Sequence, residues 1–318
     1  MATRRGDGSE LSRRKGGSTV LVVGAAGFLG LEITRVFTSH GSRVRGLIRD
    51  PAKAKSVRSV GGEPVIGDVL EPRSLATHAR GCDLIVHVAA NPAEKPGRPD
   101  LARQVRVQGT VNLVEAARTC WVPRMVVGSG YWVYADQPDI ITEQSRVDPQ
   151  GESRINYDAE LAGLAANAPP QLEVLVVRPG MVYGDGAWFR PVVEAIRHGT
   201  YRVIDGGRNH WSFVSLPDTA TGFYTVAERG SAGEIYNIVD GTPRPWGEFA
   251  RFVARRLDRP APASETFDAA VKTFGRTVAA HLRANRAASS AKLMALGWTP
   301  VQREFQEGVT QVLAGMGR

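Results

Sequence analysis

The sequence predicts an α/β protein: a doubly wound parallel sheet with helices on both faces and a smaller C-terminal lobe. Three observations carry that expectation. A β-branched run, Thr19 to Val23, opens into a glycine-rich turn and then a helical stretch, Leu31 to Ser39. A second short apolar run follows at Arg43 to Ile48. Further strand-like runs recur near 64–66, 84–88, 124–128 and 173–177, with helix-length segments between them, as parallel βα units require.

In chain order, Met1 to Ser18 holds Arg4, Arg5, Arg13, Arg14 and Lys15 among Gly and Ser. With no apolar stretch behind the charges, it reads as a disordered basic leader and not a secretory signal. Residues 19–180 then read as a dinucleotide-binding domain. In Gly24-Ala25-Ala26-Gly27-Phe28-Leu29-Gly30, Gly24 permits the tight turn and Gly27 lets a diphosphate approach the backbone. Gly30 lets helix and strand pack closely, and the helix N-terminus faces the phosphates with free N–H groups. Gly24, Ala26, Gly27, Phe28, Leu29 and Gly30 are therefore candidate cofactor residues.

The end of the second strand sets the choice of cofactor. Arg49 arrives about twenty residues after Gly30, where an acid would grip the ribose hydroxyl of NAD. A guanidinium there forks onto a 2′-phosphate, with Lys53 or Lys55 nearby, so the reading favours NADP over NAD. Asp50 keeps NAD open. Residues 181–318 read mainly as a substrate-binding lobe, with 235–239 returning to the sheet. The alternating Pro and Ala of Pro260 to Ser264 read as a linker or lid base.

Composition narrows the function classes. The chain is 42% hydrophobic and 23% charged, and no apolar run reaches membrane-spanning length. The net charge is +8, but the arginines are scattered and no nucleic-acid motif accompanies them, so neither nucleic acid nor membrane is an expected partner. Cys82 and Cys120 are isolated, which suits a reducing cytoplasm. His and Cys do not cluster with metal-ligand spacing, so no metal is expected.

Six further segments resemble one family. Gly67-Asp68-Val69 is similar to a Gly-Asp segment whose acid touches adenine. His87-Val88-Ala89-Ala90 is similar to a His-x-Ala-Ala turn that lies along the cofactor. Gly109-Thr110-Val111-Asn112 matches an Asn-Val-x-Gly-Thr-x-Asn helix start, although the first asparagine is Arg106 here. Arg178-Pro179-Gly180-Met181-Val182-Tyr183-Gly184, Phe213 to Asp218, and Leu296-Gly297-Trp298-Thr299-Pro300 complete the set, in order. From about Ser18 to its C-terminus the chain resembles an extended-type short-chain dehydrogenase/reductase of the NAD-dependent epimerase/dehydratase group. That resemblance implies a Rossmann fold and adds Asp68, Val69, His87, Ala89, Ala90, Pro179 and Gly180 to the cofactor residues.

It also exposes a departure. The family's catalytic serine slot falls on Gly130, with Ser129 one residue earlier and facing away in a strand. Glu160 anchors the register of Tyr-x-x-x-Lys-x-x-x-Glu, which sets Glu152 in the tyrosine slot and Asn156 in the lysine slot. In the family the serine polarises the carbonyl, the tyrosine relays the proton, and the lysine lowers the tyrosine's pKa and holds the nicotinamide ribose. Asn156 can still hydrogen-bond that ribose but supplies no charge. Ser129 and Glu152 remain as candidate catalytic groups.

Three readings follow. The first is an NADPH-dependent ketoreductase acting on an aromatic polyketide-like ketone, with the proton supplied by substrate or solvent. The chain is similar in its absences to the bacterial ketoreductases that tailor aromatic polyketides such as angucyclinones. Tyr131, Trp132, Trp188 and Trp211 are candidate substrate-stacking residues. The second is a non-catalytic NADP-binding sensor. The third is a nucleotide-sugar epimerase or dehydratase with relocated groups, with Arg190 and Arg208 available for its diphosphate. Assembly is expected as a monomer or as a homodimer through the helices near 108–118 and 152–164.

Overall fold

The computed structural model describes residues 17–90 and 99–316. The basic leader therefore lies outside the described residues except for Gly17 and Ser18. Ser18 belongs to the fold and not to a leader: it is buried, and its carbonyl accepts from Arg43 N at 2.9 Å.

Seven strands form one parallel sheet: β1 (Thr19–Val23), β2 (Arg43–Ile48), β3 (Glu63–Ile66), β4 (Leu84–His87), β5 (Arg124–Gly128), β6 (Glu173–Pro179) and β7 (Ile235–Ile238). Their spatial order is β7-β6-β5-β4-β1-β2-β3, so the chain winds outward in both directions from β1. Val20 pairs with Val44 on one side and Leu84 on the other. The central strands are buried on both faces, which explains their continuous Val, Leu and Ile runs.

Helix α1 (Phe28–Ser39) and the helix Leu216–Arg229 cover one face through Ile33, Phe37, Phe223 and Val226. Helices Pro72–Ala79 and Gly109–Cys120 cover the other through Leu75, Leu113 and Ala117. Helix α1 begins three residues before the expected Leu31, because the glycine turn runs directly into it without a separate cap.

The lobe beyond β6 has its own aromatic core, in which Phe213, Trp246, Phe249 and Phe305 pack together. Short strands stitch it: Met181–Tyr183 lies beside Phe213–Ser215, and Arg202–Ile204 beside Ala263–Glu265. Part of the expected linker at Pro260 to Ser264 is therefore paired strand, since Ala263 and Ser264 ladder onto Arg202 and Val203. The Leu-Gly-Trp-x-Pro segment anchors the C-terminal region. Trp298 is buried and donates to Thr221 Oγ1 at 3.1 Å, and Val301 and Gln302 donate backbone N–H groups to Asp218.

Candidate functional site

The site lies where β1, β4, β5 and β6 end, at the point where strand order reverses. The glycine turn is shaped by close contact. A Cβ on Gly24, whose φ is +90°, would fall 2.8 Å from the backbone of Ala89. A Cβ on Gly30 would fall 2.1 Å from Gly24 O. Gly27 is the N-cap of α1 and no side chain caps the helix, so its first N–H groups face the open cleft. A bare turn with a positive helix end fits a diphosphate. Phe28 leans from this turn against Gly184 and Gly186, and so joins the turn to the segment after β6.

At the end of β2, Arg49 is exposed and has no partner among the described residues. Asp50 instead caps the next turn, its Oδ1 accepting from Ala52 N at 2.9 Å. Asp68 closes a turn of its own, accepting from Leu70 N at 3.0 Å, and Val69 is fixed by Asn112 Nδ2 on its carbonyl. Ala89 and Ala90 line the turn after β4. His87 sits wholly inside, and burial, with the neighbouring Arg106 cation, pushes its pKa down to about 3. His87 is thus a neutral packing group beneath the turn. Pro179 and Gly180 are buried, and Gly180 passes so close to Ser212 that a Cβ would fall 2.5 Å from its carbonyl oxygen.

The family's serine slot stands open. Gly130 has extended backbone, φ −168°, and a Cβ there would meet nothing nearer than 3.9 Å. Ser129 does not substitute for a serine at 130: its hydroxyl is engaged with Glu160, donating to Oε1. Glu160 is itself buried and paired with Arg178, whose Nε lies 3.0 and 3.2 Å from the two carboxylate oxygens. Glu152 is exposed on the first turn of the helix Glu152–Leu164. No apolar pocket encloses it, unlike the setting of a carboxyl that serves as a general acid.

Asn156 meets a partner that the sequence did not reveal. Arg106 Nε and Nη2 both donate to Asn156 Oδ1, at 3.0 and 2.8 Å, and Nη1 donates to Ala89 O at 3.1 Å. A π-helical turn, Gln104–Gln108, carries Arg106. Burial pushes its pKa down to about 10, so it remains a cation at neutral pH. The signal was present as two departures from one motif set, Arg for Asn at 106 and Asn for Lys at 156.

The four aromatic candidates divide. Tyr131 is fully buried and Trp211 is 2% exposed, so neither presents a ring face to a ligand. The stacking role expected of them gives way to packing, because Trp211 is pinned against Trp246 and donates to Ala284 O at 3.1 Å. Trp132 and Trp188 are half-buried. Trp132 stacks on His281 and also lies against the Arg286 guanidinium, which is within 3.3 Å of His281 Nδ1, and Trp188 donates to Val182 O at 2.6 Å. A further carboxyl is notable in the same lobe. Asp240, just beyond β7, is 5% exposed, and burial pushes its pKa up to about 7.

Among the described residues no three His, Cys, Asp or Glu side chains gather as metal ligands, and no helix is long and apolar enough to cross a membrane.

Known proteins are similar to this chain. A ketoreductase of 4-hydroxy-2-methyl-3-oxo-4-farnesyl-3,4-dihydroquinoline-1-oxide from Stigmatella aurantiaca is 32% identical, over 70% of this chain and 68% of its own. A 3-diazoavenalumate denitrifying reductase from a Streptomyces species is 28% identical over 91% of this chain and 98% of its own. Among solved structures, the dTDP-glucose 4,6-dehydratase DesIV of Streptomyces venezuelae superposes with a TM-score of 0.79 at 24% identity, covering 93% of this chain and 95% of that one. The model of the NAD dependent epimerase/dehydratase family matches residues 20–239, and the chain belongs to that family.

Proposed function

We propose that the protein is an oxidoreductase that binds NADPH and reduces a ketone of an aromatic, polyketide-like small molecule, with the proton supplied by the substrate or by solvent. The observation that carries this reading is a dinucleotide turn with its glycines intact beside an empty serine slot at Gly130 and an exposed Glu152 in the tyrosine slot. When bound, the reduced nicotinamide supplies a hydride to a ketone carbon. The carbonyl oxygen then holds the displaced electron pair as an alkoxide. A phenol or enol beside that carbon hydrogen-bonds the alkoxide, donates its proton, and is reprotonated by water. The chain's own share is alignment, which alone can lower a barrier by several kcal/mol, on the order of 7–11 at best.

The Stigmatella relative supports a ring ketone of a fused-ring small molecule, since its name sets an oxo group at position 3 of a dihydroquinoline; the hydroxyl beside it is a tertiary alcohol and not a phenol or enol. Half-buried Trp132 and Trp188 suit a flat ligand. Exposed Arg49, with no carboxylate on it among the described residues, suits a 2′-phosphate. The nucleotide-sugar reading is weaker. Arg190, one of the two cations it would use, is ion-paired to Asp185 at 2.5 Å, and the one carboxyl at the usual slots, Glu152, is exposed.

The test is NADPH consumption with two matched ketone panels, one with a free phenol or enol beside the carbonyl and one with that group methylated. Turnover of the free panel alone, retained in Glu152→Gln, is the expected result. Turnover of both panels would assign the proton to solvent if Glu152→Gln keeps it, and to a protein acid at Glu152 if that variant loses it. Firm NADPH binding without turnover of either would favour the sensor reading.

A further inference from the structure

The cation missing from position 156 has not left the site; it has crossed to the facing helix. In the resemblance set, position 106 is an amide and position 156 a cation. Here 106 is a cation and 156 an amide, and the two side chains touch. Asn156 Oδ1 accepts two guanidinium N–H groups, which occupies its lone pairs. The flipped amide would set N–H against N–H, so the orientation is fixed by chemistry. Asn156 Nδ2 is consequently turned away from Arg106, and it has no partner among the described residues. The third contact, from Arg106 Nη1 to Ala89 O, ties the pair to the turn against which Gly24 is packed. Arg106 makes no direct ion pair among the described residues, its hydrogen bonds going to amide and carbonyl oxygens, and the Glu160 carboxylate steadies its charge from a distance. The π-helical turn that carries it is of a kind frequent at functional sites.

We propose that Arg106 and Asn156 form a swapped amide–cation pair that grips the nicotinamide half of the cofactor, with Asn156 Nδ2 donating to a ribose hydroxyl and Arg106 acting as its positioning residue. The half is assigned by topology. Arg49 stands at the end of β2, on the adenosine side of the crossover, whereas Ala89 and Asn156 stand beyond β4 and beside β5, on the other. The inference rests on the dinucleotide reading above and is independent of whether a ketone is turned over.

The test uses the full chain and two ligands, NADPH and 2′,5′-ADP, which carries the adenosine half only. Arg106→Gln and Asn156→Ala should each weaken NADPH binding about tenfold and leave the 2′,5′-ADP affinity unchanged. The double variant should be no worse than either single one, as expected of groups acting as a unit. Asn156→Lys alone should lower Tm through like-charge contact, and Arg106→Asn combined with Asn156→Lys should restore both Tm and NADPH affinity. Equal loss of both ligands would reduce Arg106 to a structural residue, and unchanged NADPH affinity would remove the grip; either result overturns the proposal. A wild-type protein that binds both ligands but reduces no ketone would defeat the ketoreductase reading while leaving this one to be decided by the ligand ratio.

Discussion

Arg49 and Arg106 illustrate what one residue can and cannot announce. Arg49 follows its strand at a set distance from the glycine turn, and that spacing alone marks it. Arg49→Ala should therefore narrow the gap between NADPH and NADH affinity, chiefly by weakening NADPH about tenfold or more, as loss of a charge-assisted fork implies. An unchanged preference in a binding titration would remove Arg49 from the site. Arg106 could not be found in this way, because its partner is fifty residues distant and the meeting depends on how two helices pack. Gly24, Gly27 and Gly30 were legible for the opposite reason, since the demands on a glycine are local to its own backbone.

The helix Glu152–Leu164 carries the altered machinery, and one interaction fixes it against the sheet. Glu160 joins Ser129 and Arg178 in a pair whose side chains are 1% and 2% exposed. Removing one charge would leave the other buried and uncompensated. Glu160→Gln should lower unfolding stability by about 3–5 kcal/mol in a denaturant titration. A loss below about 1 kcal/mol would mean that Arg178 finds another partner. The strands were legible because buried parallel strands are continuous apolar runs, and the register of this helix was legible from Glu160. The aromatic residues were less so. Tyr131 and Trp211 have the composition of a stacking platform, yet the lobe, short of long strands and helices, uses them as its core.

Across the whole molecule, stability and chemistry meet at Asp240. Its folded pKa lies near 7, above the ordinary carboxylate value of 3.8. The protonated carboxyl therefore contributes stability that is full below about 4 and lost as pH rises through about 7. Asp240→Asn should raise Tm at pH 8 and change it far less at pH 5, by about 2 °C for each kcal/mol relieved in a chain of this size. An equal effect at both pH values would mean that the carboxyl is already ionised in the fold. The central claim is that the protein aligns its reactants and leaves protonation to the substrate. The most direct measurement is the pH dependence of kcat for a series of ketones whose neighbouring phenol is made progressively more acidic by ring substituents. If the substrate supplies the proton, the alkaline limb should move down in step with the phenol's own pKa. A limb that stays at one pH across the series would contradict the account and point to a protein acid.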